Sequence, residues 1–418
     1  MISVEISILS PDPIADSIGE NLVKILIICD YAYPSGGAEF IVKGLRDSLN
    51  SRGHEARIFS TNLSNETGEN FADFTCIGTT SKLRGCLQTF NPFASIKLEQ
   101  VLDEFRPDII HVRIFLTQLS PSILKHLTHY KSIYHLAWYR LICPTGTKHL
   151  PNGTACKFDF GNACLKNKCI PWHDWPMMMY QLKSAHSQLD RFDAIVSNSV
   201  AVQQEFAKAG IVSRVIYNGT TVVNIRSNRD NTFDKSDPII LYAGRLKQEK
   251  GCSHLIKAFL TVSKRNKKVR LVLAGDGPER HHLEGLAEEL DLSAKVDFLG
   301  FLDQEDLNDA TRSATVQVVP SLWQEPFGIS ALDAMKNAIP VVASDVGGLS
   351  EIIQDDVTGY LVKPGDTDHL AARIMDILDD RKNARKMGLS GYNQALNKFS
   401  FDRFTDSFLD LYNELLES

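Results

Sequence analysis

Short runs of apolar, β-branched residues recur along this chain, each closed by a polar or Gly/Pro-rich loop and followed by a stretch with helical spacing. Leu22-Val23-Lys24-Ile25-Leu26-Ile27-Ile28-Cys29-Asp30 is the first. A run of that length without polar alternation reads as a strand buried on both faces, which is the environment of a parallel sheet. After its Pro/Gly loop come Phe40, Ile41, Gly44, Leu45 and Leu49, spaced along one helix face. The pair is a βα unit. Candidate strands follow at Ala56–Ser60, Ile109–Arg113, Ser132–His135 and Ala194–Ser197, with helical stretches between several of them. A second series runs through Ile239–Ala243, Arg270–Ala274, Val296–Leu299, Thr315–Pro320, Pro340–Ser344 and Gly359–Val362. The polar stretch Asn224–Pro238 between the two series reads as a linker. Two separately wound α/β sheets are therefore expected, rather than one long sheet.

The predicted division is 22–228 for an N-terminal Rossmann-like domain, 229–398 for a second Rossmann-like domain, and 399–418 for a terminal helix. Residues 1–21 read as a loose leader. At 418 residues the chain has room for each domain to bury its own core. Its apolar share of 43% and charged share of 23% match soluble globular proteins. No apolar run approaches the roughly 18 residues needed to cross a bilayer. The first cation is Lys24, preceded by Glu5, Asp12, Asp16 and Glu20, so the basic start of a secretory signal is missing. A cytoplasmic location is expected, with peripheral contact at the inner membrane face left open. Net charge is −6, which offers no attraction for nucleic acid. The first 228 residues carry 22 Lys+Arg against 20 Asp+Glu, leaving 23 against 31 of the totals of 45 and 51 for the remainder.

Candidate chemistry gathers at the ends of the strands. Gly36-Gly37-Ala38-Glu39 opens the first helix, where glycines permit close backbone approach and free amides face an anion. In the second half, Gly244-Arg245-Leu246 ends a strand and Lys250-Gly251 precedes a helix, so that an Arg fork and a Lys point charge suit a diphosphate. Gly275-Asp276-Gly277-Pro278 marks a compact turn. Glu325-Pro326-Phe327-Gly328-Ile329-Ser330 follows another strand, and Asp333 stands eight residues after Glu325, about two turns into the next helix. Both carboxylates can then face one crevice, with helix-terminal amides between them.

These motifs, with Asp345-Val346-Gly347-Gly348 and Glu351 after them, resemble the retaining glycosyltransferases of group 1, family 4. They occur in the family's order and extend over roughly residues 22 to 415. The resemblance implies a GT-B architecture, with two Rossmann-like domains facing across a cleft and the last helix crossing back to the first. It implies that Arg245 and Lys250 bind the donor diphosphate, that Glu325 contacts the transferred sugar, and that amides near Phe327, Gly328 and Ile329 hold sugar hydroxyls and phosphate. Asp333 would bind the ribose hydroxyls, and Gly36 and Gly37 would approach the diphosphate from the other side. No metal or other cofactor is required in that scheme, because Arg and Lys neutralise the donor. The expected partners are a nucleotide sugar and a glycan or lipid-linked acceptor.

Two departures stand out. The family usually has Glu where this chain has Asp333. The strand that in many relatives carries His-Asp-Tyr before Cys-Pro here reads Ala137-Trp138-Tyr139-Arg140-Leu141-Ile142-Cys143-Pro144. His135, two residues before Ala137, would lie on the same strand face about 6–7 Å away, as a catalytic substitute near the donor sugar or as a strand histidine with a structural hydrogen bond. His111 and Arg113 end another strand and are cleft candidates.

An insert at about 143–180 contains Cys143, Cys156, Cys164 and Cys169. Reduced thiols or a structural zinc are the two readings, and the spacing is unlike the tight pairs of common zinc modules. Trp172, Trp175 and Met177–Met179 in the same insert either pack on their own domain or form an acceptor or membrane-facing lip. The expected activity is hexosyl transfer from a nucleotide diphosphate sugar to a hydroxyl, with retention, in surface polysaccharide or glycoconjugate assembly. The alternatives are a sugar-nucleotide epimerase of the same architecture and a catalytically weak donor-binding partner protein.

Overall fold

A computed structural model describes residues 22–33, 36–64, 70–81, 84–221 and 237–418. The leader and most of the expected linker lie outside these residues. The first seven strands are β1 Lys24–Ile28, β2 Glu55–Thr61, β3 Phe74–Cys76, β4 Ile109–Arg113, β5 Lys131–Leu136, β6 Ala194–Ser197 and β7 Arg214–Val215. They form one parallel sheet in the order β3-β2-β1-β4-β5-β6-β7. The next six, β8 Ile239–Ala243, β9 Arg270–Ala274, β10 Val296–Gly300, β11 Val316–Val319, β12 Val341–Ser344 and β13 Gly359–Val362, form a second parallel sheet in the order β10-β9-β8-β11-β12-β13. Both sheets reverse direction at their first strand. The reversal points lie between β1 and β4 and between β8 and β11, and crevices for ligands open at such points, at the carboxyl ends of the strands.

Ile25 to Ile28 are fully buried, as the unbroken apolar run requires. The helix Gly37–Ser51 places Ile41, Val42, Leu45 and Leu49 against this sheet. In the second domain, Leu255, Ile256, Phe259 and Val262 of the helix Cys252–Arg265 do the same. Two strands have no counterpart among the expected runs. β3 has three residues and β7 two, and each lies at a sheet edge, where no second neighbour demands a long apolar stretch.

The chain returns to its first domain at the end. Thr220 and Ser400 form a bridge, with Thr220 N donating to Phe399 O at 2.9 Å and Phe401 N to Thr220 O at 3.0 Å. The helix Phe401–Glu417 then lays Phe404, Phe408, Leu411, Tyr412 and Leu415 into the core built from β1, β2 and β4. Its N-terminus is capped by Ser400, whose Oγ accepts from Arg403 N. No helix among the described residues is long and apolar enough to cross a membrane.

Candidate functional site

The loops after β8 and β11 meet at the second sheet's reversal point. Lys250 ends a single 3₁₀ turn, Gln248–Lys250, and Gly251 follows with φ 74°. A Cβ at Gly251 would lie 2.0 Å from Pro320 O, so only glycine lets the two loops touch here. That contact brings Lys250 Nζ to 2.8 and 3.0 Å from the two oxygens of Glu325. Glu325 also accepts from Ser321 Oγ at 3.0 Å and Trp323 Nε1 at 2.9 Å. The Trp323 ring lies beneath the ammonium, 5.0 Å from it, in cation–π range. Trp323 was not singled out by the sequence reading. It fixes Glu325 by a hydrogen bond on one side and meets Tyr139 of the first domain edge-to-face on the other, at 6.3 Å.

Arg245, on the same loop after β8 as Lys250, is exposed, and no ion pair involves its guanidinium among the described residues. An exposed guanidinium on the loop that also carries Lys250 gives that loop the capacity to attract an anion. Gly328, with φ 103°, starts the helix Ile329–Lys336. Glu325 to Gly328 are therefore not helical, and Asp333 lies about one turn into the helix rather than two. Its Oδ1 accepts from Lys336 Nζ at 2.6 Å. Phe327 is 2% exposed, with its ring packed on Tyr217 and Phe399, so only its backbone can face a ligand.

From the opposite side, Gly37 comes so near the second domain that a Cβ there would be 2.9 Å from Ile329 Cγ2. The start of the Gly37–Ser51 helix and the start of the Ile329–Lys336 helix thus meet across the domains. Asp30, at the end of β1, is fully buried and holds the loop after β4. Its carboxylate accepts from Thr117 N, Thr117 Oγ1, Gln118 N and Leu119 N at 2.6–2.9 Å. Burial still pushes its pKa above the ordinary carboxylate value.

His111, Arg113 and His135 require correction as cleft groups. All three are at most 1% exposed, because Phe404, Phe408 and Tyr412 of the terminal helix cover them. His111 Nδ1 is 2.6 Å from Tyr412 Oη, and its Nε2 is 3.2 Å from His135 Nδ1. Arg113 Nη1 lies 2.9 and 3.0 Å from the His135 ring nitrogens, and Nη2 donates to Asn218 Oδ1 at 3.1 Å. Burial and then the neighbouring Arg113 hold both imidazoles well below their usual pKa. Burial lowers the Arg113 guanidinium as well, to about 9. This geometry matches the structural hydrogen-bond reading of His135.

The insert is now defined too. Cys143 and Cys164 are buried and Cys156 and Cys169 half-buried. Burial, followed by the other thiols, raises Cys164, and the same causes push Cys169 up to about 11, so both stay protonated at neutral pH. Among the described residues no group of three or more His, Cys, Asp or Glu is arranged to hold a metal ion. Trp175 and Met178 pack against the first domain's core and Met179 belongs to it, while Trp172 is 77% exposed.

Residues 35–222 match the model of glycosyltransferase family 4, and residues 224–394 that of glycosyl transferases group 1. An uncharacterized glycosyltransferase of Methanocaldococcus jannaschii is 35% identical over 214 residues, 49% of this chain and 54% of that protein. The α-D-kanosaminyltransferase of Streptomyces kanamyceticus is 33% identical over 178 residues, 43% of this chain and 46% of its own length. The chain thus spans about half the length of the curated relatives it matches. Among solved structures, sucrose-phosphate synthase from Thermosynechococcus elongatus has a TM-score of 0.70 at 22% identity, covering 94% of this chain and 99% of that one. HepE of Anabaena in complex with UDP-glucose has a TM-score of 0.68 at 20% identity, covering 94% and 100%. With the two family models joined end to end across both domains, and two parallel α/β sheets arranged as in these structures, the chain belongs to the group 1 glycosyltransferases and has the GT-B fold.

Proposed function

We propose that the protein transfers a hexosyl group from a nucleotide diphosphate sugar to a hydroxyl acceptor, with retention of anomeric configuration. The observation that carries this reading is the Lys250–Glu325–Trp323 cluster, formed between the loop that also carries the exposed Arg245 and the loop that leads to Ile329, which Gly37 of the first domain approaches. Arg245 and Lys250 are the cations that take the diphosphate and stabilise its charge as it leaves. When the diphosphate draws Lys250, Glu325 keeps Ser321 and Trp323 as donors and turns acceptor capacity toward the sugar hydroxyls. Asp333 accepts from the ribose with the carboxylate oxygen that Lys336 does not occupy. HepE of Anabaena, of the same fold, has been crystallised in complex with UDP-glucose, which supports a nucleotide sugar as donor.

The acceptor is a glycan or lipid-linked saccharide approached through the first domain, in surface polysaccharide or glycoconjugate assembly. No metal is required, since two cations already face the diphosphate. The test is incubation with UDP-, GDP- and ADP-sugars, with and without saccharide acceptors, reading nucleotide release and the anomeric configuration of the product. Release that depends on acceptor supports transfer. An epimerised donor without release, or donor binding without turnover, overturns it.

A further inference from the structure

The two domains touch at a place that no diphosphate or sugar contact explains. Glu351, on the short helix Leu349–Ile352 of the second domain, directs its carboxylate at the first domain. Oε2 accepts from Val200 N at 2.9 Å and Oε1 from Ala201 N at 2.7 Å. These are the first two amides of the helix Val200–Lys208, whose free N–H groups and dipole favour an anion there. Ser199, the N-cap of the same helix, accepts from Val202 N and donates through Oγ to Pro326 O at 2.6 Å.

Both contacts end on the loop that carries Glu325. Pro326 is its neighbour in sequence. Glu351 reaches the loop through Gly347 and Gly348: Gly348 N donates to Glu325 O at 2.8 Å, and a Cβ at Gly347 would lie 2.2 Å from that same carbonyl. Gly347 N in turn donates to Gln324 Oε1 at 3.1 Å. The backbone from 324 to 327 is thereby clamped between the Gly347-Gly348 turn and the Val200–Lys208 helix.

We propose that Glu351 is a positioning residue: by capping the Val200–Lys208 helix across the domain boundary it latches the first domain onto the Glu325 loop and sets the orientation of Glu325. This rests on the reading of Glu325 as the group facing the donor sugar. The latch acts on Glu325 and leaves Arg245 and Lys250 in place, so it governs turnover more than diphosphate binding.

Two variants address opposite sides of the same contact. E351Q removes the charge while keeping the shape. V200P deletes one donating amide at the first helical position, where proline is tolerated, and Ser199 is already extended at φ −159° and ψ 162° as a residue before proline must be. Each is measured for UDP affinity by calorimetry, for turnover of the donor sugar that the wild type accepts, and for radius of gyration by solution scattering without ligand. The expected result is a fall of about tenfold in kcat, UDP affinity within about twofold of wild type, and a larger radius of gyration. The double variant should be no worse than the more affected single one, because both changes break one interaction. Wild-type turnover in E351Q and V200P, or fully additive losses in the double variant, overturns the latch. A wild type that turns over no donor overturns the donor reading instead, and scattering then decides the latch alone: an unchanged radius of gyration in both variants rejects it.

Discussion

Glu325 accepts from three side chains, Lys250, Ser321 and Trp323, before any ligand arrives. A group so bonded is preorganised for charge that develops in a transition state. Glu325→Gln should therefore reduce turnover by about 10²–10³-fold while nucleotide affinity stays near wild type, as read by nucleotide release and by calorimetry. At the same scale, His111 and His135 predict an acid limit. Their folded pKa values lie below the unfolded value of about 6.5, so the unfolded chain binds more protons between the two. Stability from these groups is complete above pH ~6.5 and is lost as pH falls below it. The urea midpoint should drop between pH 7.5 and 5.5, and His135→Asn should show a shallower drop; an equal slope in the variant would assign the loss to other groups. The loops that bring Lys250 to Glu325 were legible as Gly-containing motifs after strands. The histidines were misplaced in expectation because a strand's carboxyl end predicts a cleft only where nothing later in the chain covers it.

What covers them is an element more than 260 residues away in sequence. Phe408 of the helix Phe401–Glu417 stands 4.8 Å from the His111 ring and 5.0 Å from the His135 ring. Phe408→Ala should cost about 3–5 kcal/mol, measured by chemical denaturation, since it opens a cavity over a buried polar network. The loops are as demanding as the helix. Gly251→Ala forces a side chain into φ 74° and against Pro320 O, and should cost about 2 kcal/mol or more with loss of the Lys250–Glu325 pair. Denaturation and turnover should fall together in that variant. Most strands were readable as β-branched runs. β3 and β7 were not, because two or three edge residues make no pattern distinct from a loop.

Across the whole molecule, the two sheets place their reversal points opposite each other, with Gly37 and Ile329 in near contact between them. On the proposed reading, a donor bound between the domains stabilises the folded chain by mass action, by about 2.7 kcal/mol at a hundred times Kd. The nucleotide that produces the larger rise in melting temperature identifies the donor base. If Arg245 and Lys250 carry the neutralisation, as proposed, turnover survives excess EDTA unchanged; an absolute requirement for a divalent ion would contradict that assignment.

The sequence by itself determined the parallel α/β character and the two-part organisation, since each rests on local periodicity. Tertiary structure decided the rest. Burial of His111, Arg113 and His135, the support of Glu325 by Trp323 against Tyr139, and the grip of Glu351 on Val200 and Ala201 all join segments far apart in the chain. Such contacts leave no periodic trace, because the free energy of each depends on a partner whose position is set only when both sheets and the returning helix are in place.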